Sequence, residues 1–298
     1  MATFDFKAIG TTWKIDIFDS SIPLTPEREK NLYQKVLDRI DIFDRNYSRF
    51  RSDSLITEIS KKAGTYTLPD DAKLMMELYF DIYKRTNGLV TPLIGQLISD
   101  AGYDAVYSLK QKGQLSQPPR WEDVLIYEYP KLTVSQPVLL DFGAAGKGYL
   151  VDIVGELLEA CGISHFCIDA GGDILVHTPD SDKKVKPIRI GLEHPDDPTQ
   201  AIGIYEMNNG SICGSAGNRR VWGDFTHIIN PHTLSSPREI SAVWVIAKTA
   251  IVADALATCL FFVSPDVLVS EYDFQYVIVR NDHSVETSLN FTGEIFAS

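Results

Sequence analysis

The chain has 298 residues, of which 44% are hydrophobic and 23% are charged, an ordinary composition for a globular protein with a substantial core. Its formal net charge of −12 argues against nucleic-acid binding, which needs a basic face, so we expect no nucleic-acid partner. Any polyanionic ligand must therefore be held by local groups, such as a metal ion, backbone amides or a few Lys and Arg side chains.

The four cysteines and the apolar segments bear on where the protein works. Cys161, Cys167, Cys213 and Cys259 form no C-x-x-C pair and no metal-finger spacing, so we interpret them as free thiols of a reducing compartment. No run of 18 apolar residues predicts a transmembrane segment, and the first residues do not resemble a signal peptide. We expect a cytoplasmic protein; the alternative is a membrane-anchored lipoprotein whose export signal has been removed.

The first part of the chain predicts a strand and two helices. Residues 1–18 alternate between apolar and polar side chains, as a strand does. The first helix is predicted to begin at Thr25-Pro26, which combines an N-cap residue with Pro at the first helical position. A second helix is predicted from about Asp70 to Asn87-Gly88. The expected inward side chains are Leu32, Val36, Ile40 and Phe43 of the first helix and Leu74, Leu78 and Ile82 of the second.

Beyond Pro119 the pattern shifts toward short strands with two further helices. The predicted helices are residues 148–162 and 249–262, and the predicted strands are 124–129, 131–134, 138–142, 165–178 with a break at Gly171-Gly172, 186–192, 226–230, 241–247 and 276–280. Because many strands follow one another directly, we predict an α+β fold with substantial antiparallel sheet. No linker divides the chain, so we predict a single domain over residues 1–298.

A glycine-rich segment, residues 140–148 (LDFGAAGKG), joins a predicted strand to the third helix. Its small residues let the backbone approach a ligand, and the helix N-terminus and Lys147 favour a phosphate group. It is not a P-loop, because Asp141 and Gly148 occupy the positions that need Gly and Ser or Thr. The alternative interpretation is an ordinary tight turn between a strand and a helix.

A carboxylate and a hydroxyl group lie four residues apart, at Asp254 and Thr258, on an otherwise apolar helix. This spacing places them on one helix face, and hard oxygen ligands of this kind suit Mg²⁺. The alternative is an Asp that meets a Lys or Arg, with Thr258 bonding back to its own helix.

Other polar side chains allow both a functional and a structural interpretation. His227 lies before a Pro turn and is either a catalytic group or a structural histidine. Arg49 and Phe50 follow the first helix, where they could clamp a phosphate and stack on a ring, or simply end the helix. Asp173, after Gly171-Gly172, is predicted to cap backbone amides of a turn.

Taken in order, these segments resemble the ApbE-like family of FAD:protein FMN transferases, from Ile9 to about Val263. The matching segments are Ser48-Arg49-Phe50 followed by Ser54-Leu55-Ile56, residues 140–152 (LDFGAAGKGYLVD), 169–173 (DAGGD), 226–231 (THIINP) and 253–258 (ADALAT). The resemblance implies a single α+β domain of mixed, largely antiparallel sheet with packed helices and a groove for FAD.

The resemblance also implies an activity: Mg²⁺-dependent transfer of FMN from FAD to a Thr or Ser hydroxyl of an acceptor protein, expected to be a redox protein, with release of AMP. The implied catalytic residues are His227 and Lys147. The implied metal ligands are the Ala144 carbonyl, Asp254 and Thr258. The implied FAD-binding residues are Ile9, Arg49, Phe50, Val90, Thr91, Asp141, Lys147, Ser215, His227 and Ile228.

Departures from the family pattern keep two alternatives open. In residues 88–95, Val90 replaces an aromatic residue, Thr91 an acid and Leu93 a hydroxyl, so this loop is expected to contact FAD less well. Ala257 stands where some relatives carry another acid, which leaves the number of metal ions open. The alternatives are an FAD pyrophosphatase that yields FMN and AMP, and a non-catalytic flavin-binding protein.

Overall fold

A computed structural model describes residues 1–179, 185–218 and 220–296 of the chain. The helices of this part are α1 (Pro26–Tyr47), α2 (Leu55–Ile59), α3 (Ala72–Arg85), α4 (Gly95–Ala101), α5 (Trp121–Val124), α6 (Gly146–Ala160) and α7 (Ala250–Cys259), with 3₁₀ turns at Pro92–Ile94 and Pro265–Val267. Within these described ranges no helix combines the length and apolar character that a membrane crossing requires.

The strands form one large sheet and three small ones. They are β1 (Ala2–Ala8), β2 (Thr11–Ser20), β3 (Gly64–Thr67), β4 (Leu125–Glu128), β5 (Lys131–Val134), β6 (Ile163–Ala170), β7 (Asp173–His177), β8 (Ile188–Glu193), β9 (Ala201–Met207), β10 (Gly210–Ala216), β11 (Val221–Trp222), β12 (Phe225–Thr226), β13 (Ile240–Ala247), β14 (Phe274–Arg280), β15 (Val285–Thr287) and β16 (Glu294–Ile295). The large sheet has the order β1-β2-β6-β7-β10-β13-β14-β15, and the small ones are β16-β9-β8, β3-β5-β4 and β11-β12.

The large sheet separates two apolar layers. On one face α6 and α7 pack against β6, β7, β10 and β13, and α1 packs against α6. Trp13, Ile15 and Phe166 point into this layer and are fully buried. On the other face Ile212 and Val277 pack with side chains of the β8–β9 sheet. The described strand pairs are antiparallel, so the α+β class with a largely antiparallel sheet is confirmed; the single domain over residues 1–298 stays a prediction.

The helix predictions are confirmed apart from one side chain. Thr25 caps α1 by accepting a hydrogen bond from the N–H of Arg28, and the four predicted apolar residues of this helix are buried. In α3, however, Leu74 is 53% exposed, so its inward placement was wrong. The buried face of α3 instead runs through Met75 and Tyr79, because the α3 register puts Leu74 on the outer side of the helix.

Two predicted strands are wrong. Residues 138–142 have no regular secondary structure and join no sheet; the N–H of Asp141 bonds to the Pro92 carbonyl instead. Of residues 226–230 only Thr226 is in a strand, since its hydroxyl accepts a hydrogen bond from the N–H of Ile228 and turns the chain. His227 therefore lies in an irregular segment, whose backbone need not follow a ladder.

Asp152 of α6 ties the two helices that cover the sheet. Its two carboxylate oxygens accept hydrogen bonds from the N–H groups of Ala250 and Ile251, each 2.8 Å long. These N–H groups open α7 and have no partner within that helix, so Asp152 caps α7 from another element. Burial raises the pKa of Asp152 to about 6, and the two N–H groups oppose that rise.

Asp152→Ala should lower the free energy of unfolding by about 1–2 kcal/mol, because it leaves two buried N–H groups at the start of α7 unpaired. Urea denaturation at pH 7 measures this loss. Glu156→Ala, an exposed carboxylate one turn further along α6, is the control and should change stability by less than about 0.5 kcal/mol. Equal effects of the two substitutions would contradict the capping role.

Candidate functional site

Asp254 of α7 contacts the glycine-rich bend, residues 141–148. The N–H of Gly148 donates a hydrogen bond of 2.9 Å to Oδ2 of Asp254. A β carbon at Gly148 would lie 2.2 Å from the Ala250 carbonyl oxygen and 2.7 Å from the β carbon of Asp254. Only glycine permits this approach, so the small residue of the sequence motif is what brings α6 and α7 together.

Asp254 is a buried acid in an acidic surrounding. Asp254 is only 4% exposed. Burial, together with the nearby charge of Asp173, raises the pKa of Asp254 well above its usual range, while Lys147 and the Gly148 N–H act in the opposite direction. Because a buried carboxylate is costly without a compensating charge, this position favours a bound cation.

Lys147 forms an ion pair with Asp173, the first residue of β7. Asp173 is fully buried. Burial raises the pKa of its carboxyl group, and the positive charge of Lys147 only partly lowers it again. Burial alone would lower the pKa of Lys147, but the charges of Asp173 and Asp254 outweigh it and raise that pKa. The prediction that Asp173 caps backbone amides is therefore wrong; its side chain points to the helix layer and holds the lysine.

The other two predicted metal ligands lie on the same two segments. Ala144 is in the bend, and its N–H donates to the hydroxyl of Tyr79, 3.1 Å away. Burial, together with the charges of Asp141 and Asp254, raises the pKa of Tyr79. Thr258 is half-buried on α7, one turn after Asp254.

These groups fit the donor chemistry of Mg²⁺: a carboxylate, a hydroxyl and a main-chain carbonyl, all oxygen ligands. Over residues 1–179, 185–218 and 220–296, no group of three or more His, Cys, Asp or Glu side chains converges as a metal cluster. The predicted set contains a single carboxylate. Its assignment as a magnesium site stays a prediction.

Asp141, at the start of the bend, is linked to the end of α1. One carboxylate oxygen accepts the Gly143 N–H at 2.7 Å, and the other pairs with Nε of Arg49. Arg49 is 6% exposed; its Nη1 donates to the Tyr103 carbonyl at 2.7 Å, and its guanidinium lies 4.2 Å from the centre of the Phe50 ring. Arg49 therefore connects the bend to an aromatic cluster.

His227 is close to the same charges. Burial and the positive charge of Arg220 lower the pKa of His227 to about 4, and Asp141 only partly opposes them. Lys147 also contributes to the lowering, so the imidazole stands within electrostatic reach of the bend. Its Nδ1 is buried and has no hydrogen-bond partner among the residues the structure describes. The site thus contains a neutral imidazole whose Nδ1 is buried and, within the described residues, unpaired.

The remaining predicted FAD-binding residues fall into two groups. Ile9 lies in the β1–β2 turn with a φ of 43°, and Ser215 on β10 lines a cavity of about 310 Å³ together with Gly172, Ile190 and Trp244. Val90, Thr91 and Ile228 are 3%, 6% and 6% exposed, so their side chains offer little surface to a ligand. Their contact with FAD stays a prediction.

Sequence reasoning missed Asp173 and Tyr79, which contact the bend, and Tyr107, which lies beside Phe50. Asp173 is an acid at the start of an apolar strand, which could have indicated a buried ion pair. It was interpreted as a turn residue because only its neighbours in the sequence were considered. Tyr79 is indistinguishable in sequence from an ordinary buried helix residue, since its ring packs against Phe142 in the core. Tyr107 lies in a connection with no motif and is drawn to Phe50 only by the folded loop.

Comparison with known proteins places these features in a family. The family model described as "ApbE family" matches residues 9–273. An FAD:protein FMN transferase of Klebsiella pneumoniae (strain 342) is 24% identical over 287 residues, covering 88% of this chain and 78% of that protein. An FAD:protein FMN transferase of Haemophilus influenzae is 24% identical over 308 residues, covering 94% and 87%.

Solved structures agree in fold. An ApbE protein from Thermotoga maritima has a TM-score of 0.80 at 19% identity and covers 97% of both chains. The flavin transferase ApbE from Vibrio cholerae has a TM-score of 0.78 at 19% identity and covers 96% of both chains. The family model spans most of the chain. This chain belongs to the ApbE family.

Proposed function

We propose that this protein is an FAD:protein FMN transferase, which moves FMN from FAD to a Thr or Ser hydroxyl of an acceptor protein and releases AMP. Membership of the ApbE family and the names of the relatives support the activity. The observation that carries the proposal is the contact of Asp254 with the glycine-rich bend at Gly148. It brings a buried acid, a lysine and a helix N-terminus to one place, as a diphosphate and a cation require.

In the proposed reaction the acceptor hydroxyl oxygen attacks the phosphorus on the FMN side of the pyrophosphate. The bond from that phosphorus to the bridging oxygen breaks, and AMP leaves with that oxygen. Phosphoryl transfer of this kind depends mainly on positioning and on neutralising charge. Lys147 supplies one fixed positive charge, which Asp173 holds in the helix layer.

His227 is proposed to take the proton of the acceptor hydroxyl. A base must be unprotonated before the reaction, and the lowered pKa of His227, about 4, keeps its imidazole neutral near pH 7. Nδ1 is buried and unpaired among the described residues, so we assign the contact with the acceptor hydroxyl to the other ring nitrogen, Nε2.

Mg²⁺, when bound, would be held by the Ala144 carbonyl, Asp254 and Thr258, and it would offset the negative charge of the diphosphate. The metal would explain how a chain of net charge −12 can hold a polyanion. We further propose that the acceptor is a redox protein and that the reaction takes place in the cytoplasm.

Incubation of the protein with FAD, Mg²⁺ and a candidate acceptor tests the activity. The expected result is flavin fluorescence on the denatured acceptor band together with AMP in solution. Free FMN and AMP without a labelled acceptor would indicate FAD hydrolysis instead. No AMP above background would reject both enzyme functions and leave a flavin-binding protein.

Asp254→Asn should reduce AMP release roughly 100-fold or more, because the carboxylate that would face the metal becomes neutral. Mg²⁺ binding, measured by calorimetry, should fall in parallel. The melting temperature should not drop, since burial already disfavours the charged form of Asp254. Asp266→Asn, at an exposed carboxylate, serves as the control, and an active Asp254→Asn enzyme would remove the metal assignment.

His227→Ala should slow FMN transfer by about 10²- to 10⁴-fold while changing the Kd for FAD little, because a general base acts on the hydroxyl and not on FAD. Single-turnover kinetics and FAD titration separate the two effects. His232→Ala, at an exposed histidine of the same turn, should leave both unchanged. A defect confined to FAD binding would contradict the proposed role.

Lys147→Met should destabilise the protein by about 3 kcal/mol, because it leaves Asp173 buried without its partner. The double variant Lys147→Met with Asp173→Asn removes both charges and should recover most of that loss in urea denaturation. It should still fail in FMN transfer, since the fixed positive charge is gone. A double variant with normal transfer would show that Lys147 only stabilises the fold.

A further inference from the structure

Tyr107 stacks on Phe50 beside the candidate site. Their ring centres are 5.3 Å apart and their planes differ by 14°. Phe50 also meets Tyr103 edge-on and lies against the Arg49 guanidinium, which pairs with Asp141 of the bend. Tyr107 is 50% exposed, so solvent still reaches a large part of its ring. A parallel aromatic pair with this much exposed surface offers room for another flat ring.

The loop that carries Tyr107 is held by specific bonds. The Asp104 carboxylate accepts hydrogen bonds from the N–H groups of Val106 and Ser108 and pairs with Lys112. The Leu109 N–H closes the loop on the Gly102 carbonyl at 2.8 Å.

Tyr107 itself has a φ of 52°, a conformation that bulky residues rarely adopt. The loop therefore holds a strained residue whose ring stacks on Phe50.

Tyr107 also reaches the β1–β2 turn. Its hydroxyl oxygen lies 3.8 Å from the place that a β carbon would take at Gly10, next to Ile9. The ring thus spans the distance between Phe50 and this turn. Phe50 and Ile9 of this turn are both predicted FAD-binding residues.

Position 90 does not supply an aromatic wall in this chain. Val90 replaces the aromatic residue expected there, and its side chain is 3% exposed and belongs to the core. A flavin ring needs a flat partner from another element, and the half-exposed ring of Tyr107 is placed to be that partner.

We propose that Tyr107 stacks on the isoalloxazine ring of FAD and sets the affinity of this protein for flavin nucleotides. The inference rests on the proposed function insofar as FAD is the ligand. Under this proposal, Tyr107 of the 102–112 loop replaces the aromatic contact that is lost at position 90.

The experiment compares three variants in the full-length protein. Tyr107→Leu removes the aromatic ring, Tyr107→Phe keeps it, and Val106→Ala changes an 80% exposed neighbour in the same loop as the control. Binding of FAD is measured by titration, and binding of ADP, which lacks the flavin ring, is measured by competition. The fluorescence of saturating bound FAD is recorded as well, since a phenol in contact with an excited flavin quenches its emission by electron donation and a phenyl ring does not.

Tyr107→Leu should weaken FAD binding roughly tenfold and leave ADP binding unchanged, the loss expected for one ring stack. Tyr107→Phe should keep the affinity for FAD and make the bound flavin brighter. Val106→Ala should behave as the wild type. Unchanged FAD binding by Tyr107→Leu would overturn the proposal, and so would tighter binding, which would make Tyr107 a cover that FAD displaces.

The two proposals fail in different ways. If Tyr107→Leu weakens FAD binding but no acceptor is ever labelled, the transferase function falls and the stacking role stands. If FMN transfer is normal and FAD binding is indifferent to Tyr107→Leu, the stacking role alone is rejected.

Discussion

The candidate site depends on one close approach, that of α6 to α7 at Gly148. The absence of a side chain there lets the Gly148 N–H reach the Asp254 carboxylate, and a β carbon would collide with the main chain of α7. Asp152 fixes the same pair of helices one turn further on by capping α7. The bend and the helical acid thus form a single rigid unit, placed against the centre of the large sheet.

That rigidity has an electrostatic consequence. Asp173 and Asp254 lie buried near Lys147, Asp152 lies partly buried in the next turn of α6, and burial raises the pKa of each carboxyl group. Lys147 is committed to Asp173, so Asp254 is left without a full counter-charge. Burial therefore favours the neutral form of Asp254 unless a positive charge lies close to it. His227, kept neutral by burial, adds no charge to this balance.

The aromatic cluster is the other half of the site. Arg49 joins the two halves. Its guanidinium pairs with Asp141 of the bend, lies over the Phe50 ring and donates a hydrogen bond to the Tyr103 carbonyl. The buried guanidinium of Arg49 thus links the polar bend to the aromatic cluster. A dinucleotide with a charged centre and a flat ring suits this division, whereas a simple phosphate ester would leave the aromatic side unused.

Local patterns determined much of this protein by themselves: the caps and apolar spacing of α1, the shared face of Asp254 and Thr258, and the small residues of the bend. These follow from periodicity and from backbone freedom, which neighbouring residues control. The tertiary structure decided what local patterns leave open. The buried face of α3 excludes Leu74, Asp173 turns to Lys147, and Tyr107 meets Phe50. Each depends on which distant element packs against a residue, and that contact outweighs the local preference of the chain.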